Sequence, residues 1–140
     1  MNGYRFVFPV EVRFRDLDAI GHVNNAVYLT YMESARLAYW MQVTGRRDLR
    51  DIGIILARTE CDYRSPANLG EVMEVGVRCA SMRRSSFVLE FRIEVLGTER
   101  LVAEARKVLV RYDYSKGAVG PLEDDLKARL RAQDPESLQE

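Results

Sequence analysis

The chain has 140 residues, of which 47% are apolar and 30% charged, and its 21 basic side chains balance its 21 acidic ones. That is the composition of one globular domain with enough chain to bury a core unaided, and it excludes a disordered polymer. Zero net charge removes the general pull toward nucleic acid that a strongly basic domain has. The two cysteines, Cys61 and Cys79, are too few for a disulfide scaffold, and the single histidine, His22, leaves too few ligands for a structural zinc site. Both cysteines read as buried small hydrophobes. Charges at Arg5, Glu11, Arg13 and Arg15 break up the N-terminal stretch, so no secretory leader and no membrane span is expected. The expectation is a cytoplasmic, reduced single domain over residues 1–140.

Val10 to Arg15 alternates apolar and charged side chains, which predicts a half-buried strand with Pro9 at its entry. Asp16 to Asn25 breaks the alternation with Gly21 and ends in the pair Asn24-Asn25, a loop closing on a helix cap. Ala26 to Val43 has no Gly or Pro and carries its polar residues Thr30, Glu33, Ser34 and Arg36 on one narrow stripe. A helix that is apolar over most of its girth is buried, and one sheet is too little to cover it, so a second subunit is expected. Glu33 and Arg36, three apart, are placed to pair within the helix. Tyr28, Tyr31, Tyr39 and Trp40 read as core or interface. Gly45 ends the helix.

Strands are predicted from Ile52 to Tyr63, Val72 to Cys79, Phe87 to Val95 and Leu101 to Tyr112, with a bulge near Lys107 where period two fails. Pro121 to Gln133 reads as a helix with a stripe of Leu122, Leu126 and Leu130, Pro121 taking its first position. Asp134 to Glu140 is polar and reads as a frayed end. One helix followed by a run of antiparallel strands is α+β, not βαβ.

The loop from Asp16 to Asn25 holds two carboxylates, the only histidine and two asparagines. A helix N-terminus offers unpaired N–H groups and the positive end of the dipole. A carboxylate just ahead of it can activate a nucleophile while those N–H groups polarise a carbonyl. Asp18 suits the carboxylate role. Asp16 suits a structural one, and Asn24 and Asn25 are first of all caps.

The run from Asp16 to Arg36, D-x-D-x-x-G-H-V-N-N-x-x-Y-L-x-Y-x-E-x-A-R, resembles the signature of hotdog-fold acyl-CoA thioesterases of the 4-hydroxybenzoyl-CoA thioesterase-like family. Cys61 to Ala67 followed by Gly70-Glu71, and Ser85-Ser86 with Ala103-Glu104-Ala105, resemble softer features of the same family. The likeness spans about residues 5 to 115, leaving about 116–140 as a C-terminal extension with a short helix. It implies a hotdog fold, a five-stranded antiparallel sheet wrapped around a long central helix. It implies a homodimer or homotetramer with sites between subunits. It also implies hydrolysis of an acyl-CoA to free acid and CoA with no metal and no cofactor beyond the CoA of the substrate. By the same resemblance Asp18 is the catalytic carboxylate, as base or as nucleophile, and the helix start near Asn24 and Asn25 receives the carbonyl oxygen. His22 is either a structural hydrogen bonder or a catalytic auxiliary. Arg83, Arg84 and Ser85 are candidates for gripping CoA, as are Arg46 and Arg47, and Gly53 to Leu56 are candidates for the pocket wall. Hydration or dehydration of acyl thioesters, and acyl-CoA binding without turnover, are the competing readings; Asn24-Asn25 in place of Phe-Pro after Gly-His argues against the first.

Overall fold

The computed structural model describes residues 1–48 and 53–139. Its strands are β1 (Phe6–Glu11), β2 (Ile54–Tyr63), β3 (Val72–Met82), β4 (Ser86–Val95), β5 (Leu101–Asp113) and the short β6 (Ala118–Val119), and its helices are α1 (Asn25–Thr44) and α2 (Asp124–Gln133). The sheet is antiparallel throughout in the order β1-β3-β4-β5-β2, with β6 added beside the end of β5. This is the α+β hotdog architecture, a sheet of five long strands around α1, with β6 as a sixth.

The inward positions of β3 and β4 hold the alternating sets Met73, Val75, Val77, Cys79 and Phe87, Leu89, Phe91, Ile93, Val95, all buried. On α1 the buried residues are Tyr28, Tyr31, Met32, Ala35, Tyr39, Trp40 and Val43, one stripe at three- and four-residue spacing. Trp40 stacks on Phe87 with ring centroids 5.7 Å apart, and Phe6 meets Tyr39 edge-on at 5.5 Å. Each such side chain contributes about 1.5–3 kcal/mol through burial. The opposite side of α1 is open: Leu37 is 47% and Met41 38% exposed. Gly45 closes the helix in the left-handed region, φ 69°, its N–H donating to the Met41 carbonyl at 2.9 Å.

Six expectations are corrected. The first strand runs over Phe6–Glu11, not Val10–Arg15, because Arg13 to Asp16 turn into a 3-10 segment. Pro9 lies inside β1 rather than at its entry, tolerated on an edge strand where one donor is dispensable. Lys107 marks no bulge, since its register with Thr59 and Leu89 is regular. The extra residues fall at Ala57, Ala80 and Val102 instead. Pro121 lies ahead of α2, whose cap is Glu123, although Leu122 and Leu130 are buried as the stripe required. The C-terminal segment is docked, not frayed. The Asp134 carboxylate is buried and accepts from the Tyr39 hydroxyl (2.6 Å) and the Cys79 N–H (2.9 Å), and Gln139 bonds the β3 edge at Ala80 and Met82. The proposed start of a strand at Ile52 lies outside the described residues. Cys79 is buried as expected, whereas Cys61 is half-buried, packed against the core from β2.

Candidate active site

The loop between β1 and α1 is organised by Asp16 and Asp18 in different ways. Asp16 is 4% exposed. Its Oδ2 accepts from the Tyr31 hydroxyl at 2.6 Å and from the Arg13 N–H at 3.0 Å, with the Arg13 guanidinium 3.7 Å away. Burial disfavours its charge, but the hydroxyl and the N–H outweigh burial and hold its pKa below the ordinary value of 3.8. The Asp16 carbonyl then accepts the Asn24 N–H at 2.8 Å, tying the loop's end to its start. Asp16 is the structural carboxylate.

Asp18 is exposed, and one of its oxygens is fixed. Oδ1 accepts the Ile20 N–H at 2.9 Å and the His22 N–H at 3.2 Å. The Asp18 N–H donates to the His22 carbonyl at 2.7 Å, and the turn between them is closed by the Gly21 N–H on the Asp18 carbonyl at 3.1 Å. Gly21 has φ 89°, where a side chain is strained. Oδ2 has no hydrogen-bond partner among the described residues. The loop therefore orients a carboxylate and leaves one oxygen for other chemistry.

Asn24 caps α1, its Oδ1 accepting the Ala26 N–H at 2.9 Å, while its carbonyl accepts the Val27 N–H at 2.9 Å. Its own N–H is spent on the Asp16 carbonyl. The donor left over at the helix start is the Asn25 N–H, which has no partner among the described residues. The Asn25 carbonyl accepts the Tyr63 hydroxyl at 3.0 Å. His22 is half-buried beside Asn68 through a backbone bridge, and its ring has no hydrogen bond among the described residues.

Behind the loop lies the turn after β2. The Ala67 carbonyl accepts the Val23 N–H at 3.0 Å, and the Ala67 N–H donates to the Tyr28 hydroxyl at 3.1 Å. Arg100 clamps this turn through the Pro66 carbonyl, the Ser65 hydroxyl and the Glu71 carboxylate. Tyr63 lies within the softer Cys61–Ala67 feature, whereas Arg100 is a supporting residue the sequence reading did not single out; nothing in its spacing separates it from an ordinary strand-end polar.

Arg83, Arg84 and Ser85 are not near Asp18 in the same chain. They form the β3–β4 turn, where the Ser85 carbonyl accepts the Arg111 N–H and the Arg84 carbonyl the Leu122 N–H, both at 2.8 Å. Asp18 sits by the opposite end of β3, where the Val12 N–H meets the Glu71 carbonyl. The 11 residues of β3 separate the two ends by roughly 35 Å. Arg46 and Arg47 follow α1 and share the arginine-rich end.

A sheet wrapped around a helix whose N-terminus faces an oriented carboxylate is the arrangement of hotdog thioesterases. The chain matches the family model described as "Thioesterase-like superfamily" over residues 12–130 and belongs to that superfamily. It is 30% identical over 116 residues to the acyl-CoA thioester hydrolase YbgC of Escherichia coli O6:H1, covering 81% of this chain and 86% of that one. It is 26% identical over 126 residues to the long-chain acyl-CoA thioesterase FadM of Escherichia coli K12, covering 86% of this chain and 93% of that one. Among solved structures, a thioesterase from Thermus thermophilus complexed with coenzyme A and Zn superposes with a TM-score of 0.87 at 38% identity, covering 96% of this chain and 98% of that one. Among the described residues here, no three His, Cys, Asp or Glu side chains cluster as metal ligands, and no helix is long and apolar enough to cross a membrane.

Proposed function

We propose that this chain hydrolyses acyl-CoA thioesters to the free acid and CoA, with Asp18 and the Asn25 N–H as the reacting pair. The observation that carries this is the division of labour on Asp18: one oxygen tied by two backbone N–H groups, the other free among the described residues, in the loop that leads into a helix start with an unspent donor. The thioester carbonyl oxygen accepts from the Asn25 N–H, where the dipole end stabilises the developing oxyanion. Asp18 Oδ2 either takes a proton from water as the water oxygen bonds the carbonyl carbon, or itself attacks that carbon and is freed by water. In the first route the C–S bond breaks and the thiolate of CoA leaves with the proton that Asp18 took; in the second the thiolate leaves as the acyl–Asp18 anhydride forms, and water then cleaves the anhydride to the free acid, restoring the carboxylate and giving its other proton to the thiolate. His22 completes the site as a polar group beside the incoming water.

The working unit in this reading is a dimer. A cavity of ≈ 820 Å³ lies on the outer face of the sheet, among Tyr4, Arg78, Arg92, Glu94 and Glu104, and holds none of the loop residues. The catalytic loop of one chain is open. β2 offers ten residues of edge with Leu56 and Tyr63 exposed, and the bare side of α1 lies alongside. A second copy joined edge to edge across a two-fold axis pairs antiparallel with β2. That brings the partner's arginine-rich end to the Tyr63 end of this chain, and so to Asp18. Arg83, Arg84 and Ser85 then serve the other subunit's site, where guanidinium groups match the phosphates of CoA.

Release of free thiol from a panel of acyl-CoA substrates tests the reading, with Asp18→Asn as the control. Asn keeps an Oδ1 acceptor for the Ile20 and His22 N–H groups but loses the charge. A fall in kcat of about 10²–10⁴ at unchanged melting temperature is expected. Full activity in Asp18→Asn overturns the mechanism, and hydration of an enoyl-CoA without thiol release points to the competing enzyme class.

A further inference from the structure

Lys107 stands at an inward position of β5 with its side chain only 2% exposed. Its ammonium lies 3.1 Å from Glu33 Oε1 and 5.2 Å from the centre of the Phe91 ring. Glu33 Oε2 accepts from Arg36 Nη2 at 2.6 Å. These contacts outweigh burial and hold the Glu33 carboxyl below its usual pKa. Two cations thus face one carboxylate. The Arg36 Nε is buried with no hydrogen-bond partner among the described residues. Desolvating the Lys107 ammonium costs several kcal/mol before pairing, and a leucine at 107 would fill the same layer without that cost. Stability alone does not account for the cluster.

Its position does. Eight helical residues separate Asn25 from Glu33, about 12 Å along the axis. The side of α1 that carries them faces the edge strand. The Tyr63 hydroxyl sits on the Asn25 carbonyl, Cys61 follows it inward, and Thr59 is the register partner of Lys107. The side of the chain between α1 and β2 therefore leads from the proposed thioester site at Asn25 to the charged cluster at Glu33. Glu33, with 40% of its side chain exposed, opens onto it.

We propose that Arg36 and Lys107, held by Glu33, form the floor of the acyl groove and select acyl groups with a carboxylate at the far end. This rests on reading Asp18 and Asn25 as the thioester site. At about 1.2 Å per bond in an extended chain, 12 Å corresponds to roughly ten bonds, so the favoured substrates are medium-length ω-carboxyacyl-CoA esters. The carboxylate supplies the acceptor that Arg36 Nε lacks and offsets the cluster's excess positive charge. A hydrocarbon tail of equal length leaves the donor buried and unpaired, and a much longer tail meets charge.

The test compares octanedioyl-CoA, octanoyl-CoA and palmitoyl-CoA in the free-thiol assay on wild type, Arg36→Met and Arg36→Lys. Wild type is expected to favour octanedioyl-CoA over octanoyl-CoA by about tenfold or more in kcat/KM, the value of one charged hydrogen bond, with palmitoyl-CoA poorest. Arg36→Met is expected to abolish the preference by raising KM for octanedioyl-CoA alone, and Arg36→Lys to restore part of it. Equal or better use of octanoyl-CoA or palmitoyl-CoA by wild type overturns the inference whether or not the variants fold. If that hydrolysis still depends on Asp18, the reading of the thioester site stands. Absence of thiol release from every ester by the folded protein overturns both.

Discussion

Tyr31→Phe removes a single oxygen, and the structure says what that oxygen does. Its hydroxyl donates to the buried Asp16 carboxylate at 2.6 Å, and Asp16 in turn holds Asn24 and so the start of α1. A hydrogen bond to a charged group contributes about 1.5–3 kcal/mol. Asp16 keeps the Arg13 N–H at 3.0 Å and the guanidinium at 3.7 Å, so the carboxylate is not stranded and the expected loss is about 2 kcal/mol. For a chain of this size that is a fall in melting temperature of about 6 °C at pH 7. The pH dependence gives a second reading of the same bond. Asp16 has its folded pKa depressed below 3.8, so its stabilisation is present above the unfolded value and is lost as pH falls through the folded one. The gap between wild type and Tyr31→Phe is therefore full at neutral pH and shrinks in acid below about pH 4. Melting followed by circular dichroism at pH 7 and pH 3 measures both. Equal melting temperatures at pH 7, or the same gap at both pH values, refutes the reasoning.

Asn25→Pro separates the donor from the fold. Proline suits the first helical position, and Asn24 already has φ −59° and ψ 138°, the conformation a residue before proline adopts. Stability is expected within about 1 kcal/mol of wild type and kcat lower by about 10²–10³. Wild-type turnover would show that another group holds the oxyanion. Asp134→Ala is expected to cost about 3 kcal/mol in urea unfolding, since it leaves the Tyr39 hydroxyl and the Cys79 N–H buried without their acceptor; a change below about 0.5 kcal/mol contradicts the docked C-terminal segment. At high pH, burial pushes the Cys79 thiol up to about 12 and the Tyr39 hydroxyl above its ordinary 10.0. Raised acids stabilise the fold below their unfolded pKa and lose that contribution as pH climbs toward the folded one. Stability is thus expected to fall from about pH 9 upward, more weakly in Tyr39→Phe, as pH-dependent melting would record.

The alternating strands and the capped loop were legible because each is written in short-range spacing. Met73 to Cys79 and Phe87 to Val95 face inward as their period demands, and Asn24 caps the helix it precedes. What the spacing did not hold was decided by distant partners. Lys107 looks like an interruption until Glu33, 74 residues away, is seen to bury it. Asp134 looks like part of a solvated tail until Tyr39, 95 residues away, accounts for it. The motif also named Asn24 and Asn25 together, but only three-dimensional contact shows that Asp16 consumes one N–H and leaves the other. Likewise Arg83 and Asp18 are candidates for one site in the sequence but lie by opposite ends of β3, a separation that a second copy would close in the proposed dimer.

That separation supplies the most direct measurement. Asp18→Asn and the double variant Arg83→Ala/Arg84→Ala are each expected to be poor enzymes, and co-assembled mixed dimers decide between the two geometries. If each site takes Asp18 from one chain and the arginines from the other, random mixing makes half of all dimers mixed, each with one fully intact site, and thiol release returns to about a quarter of the wild-type rate. If both contributions come from the same chain, every site in the mixed dimer carries a lesion, and activity stays at the level of the parent variants.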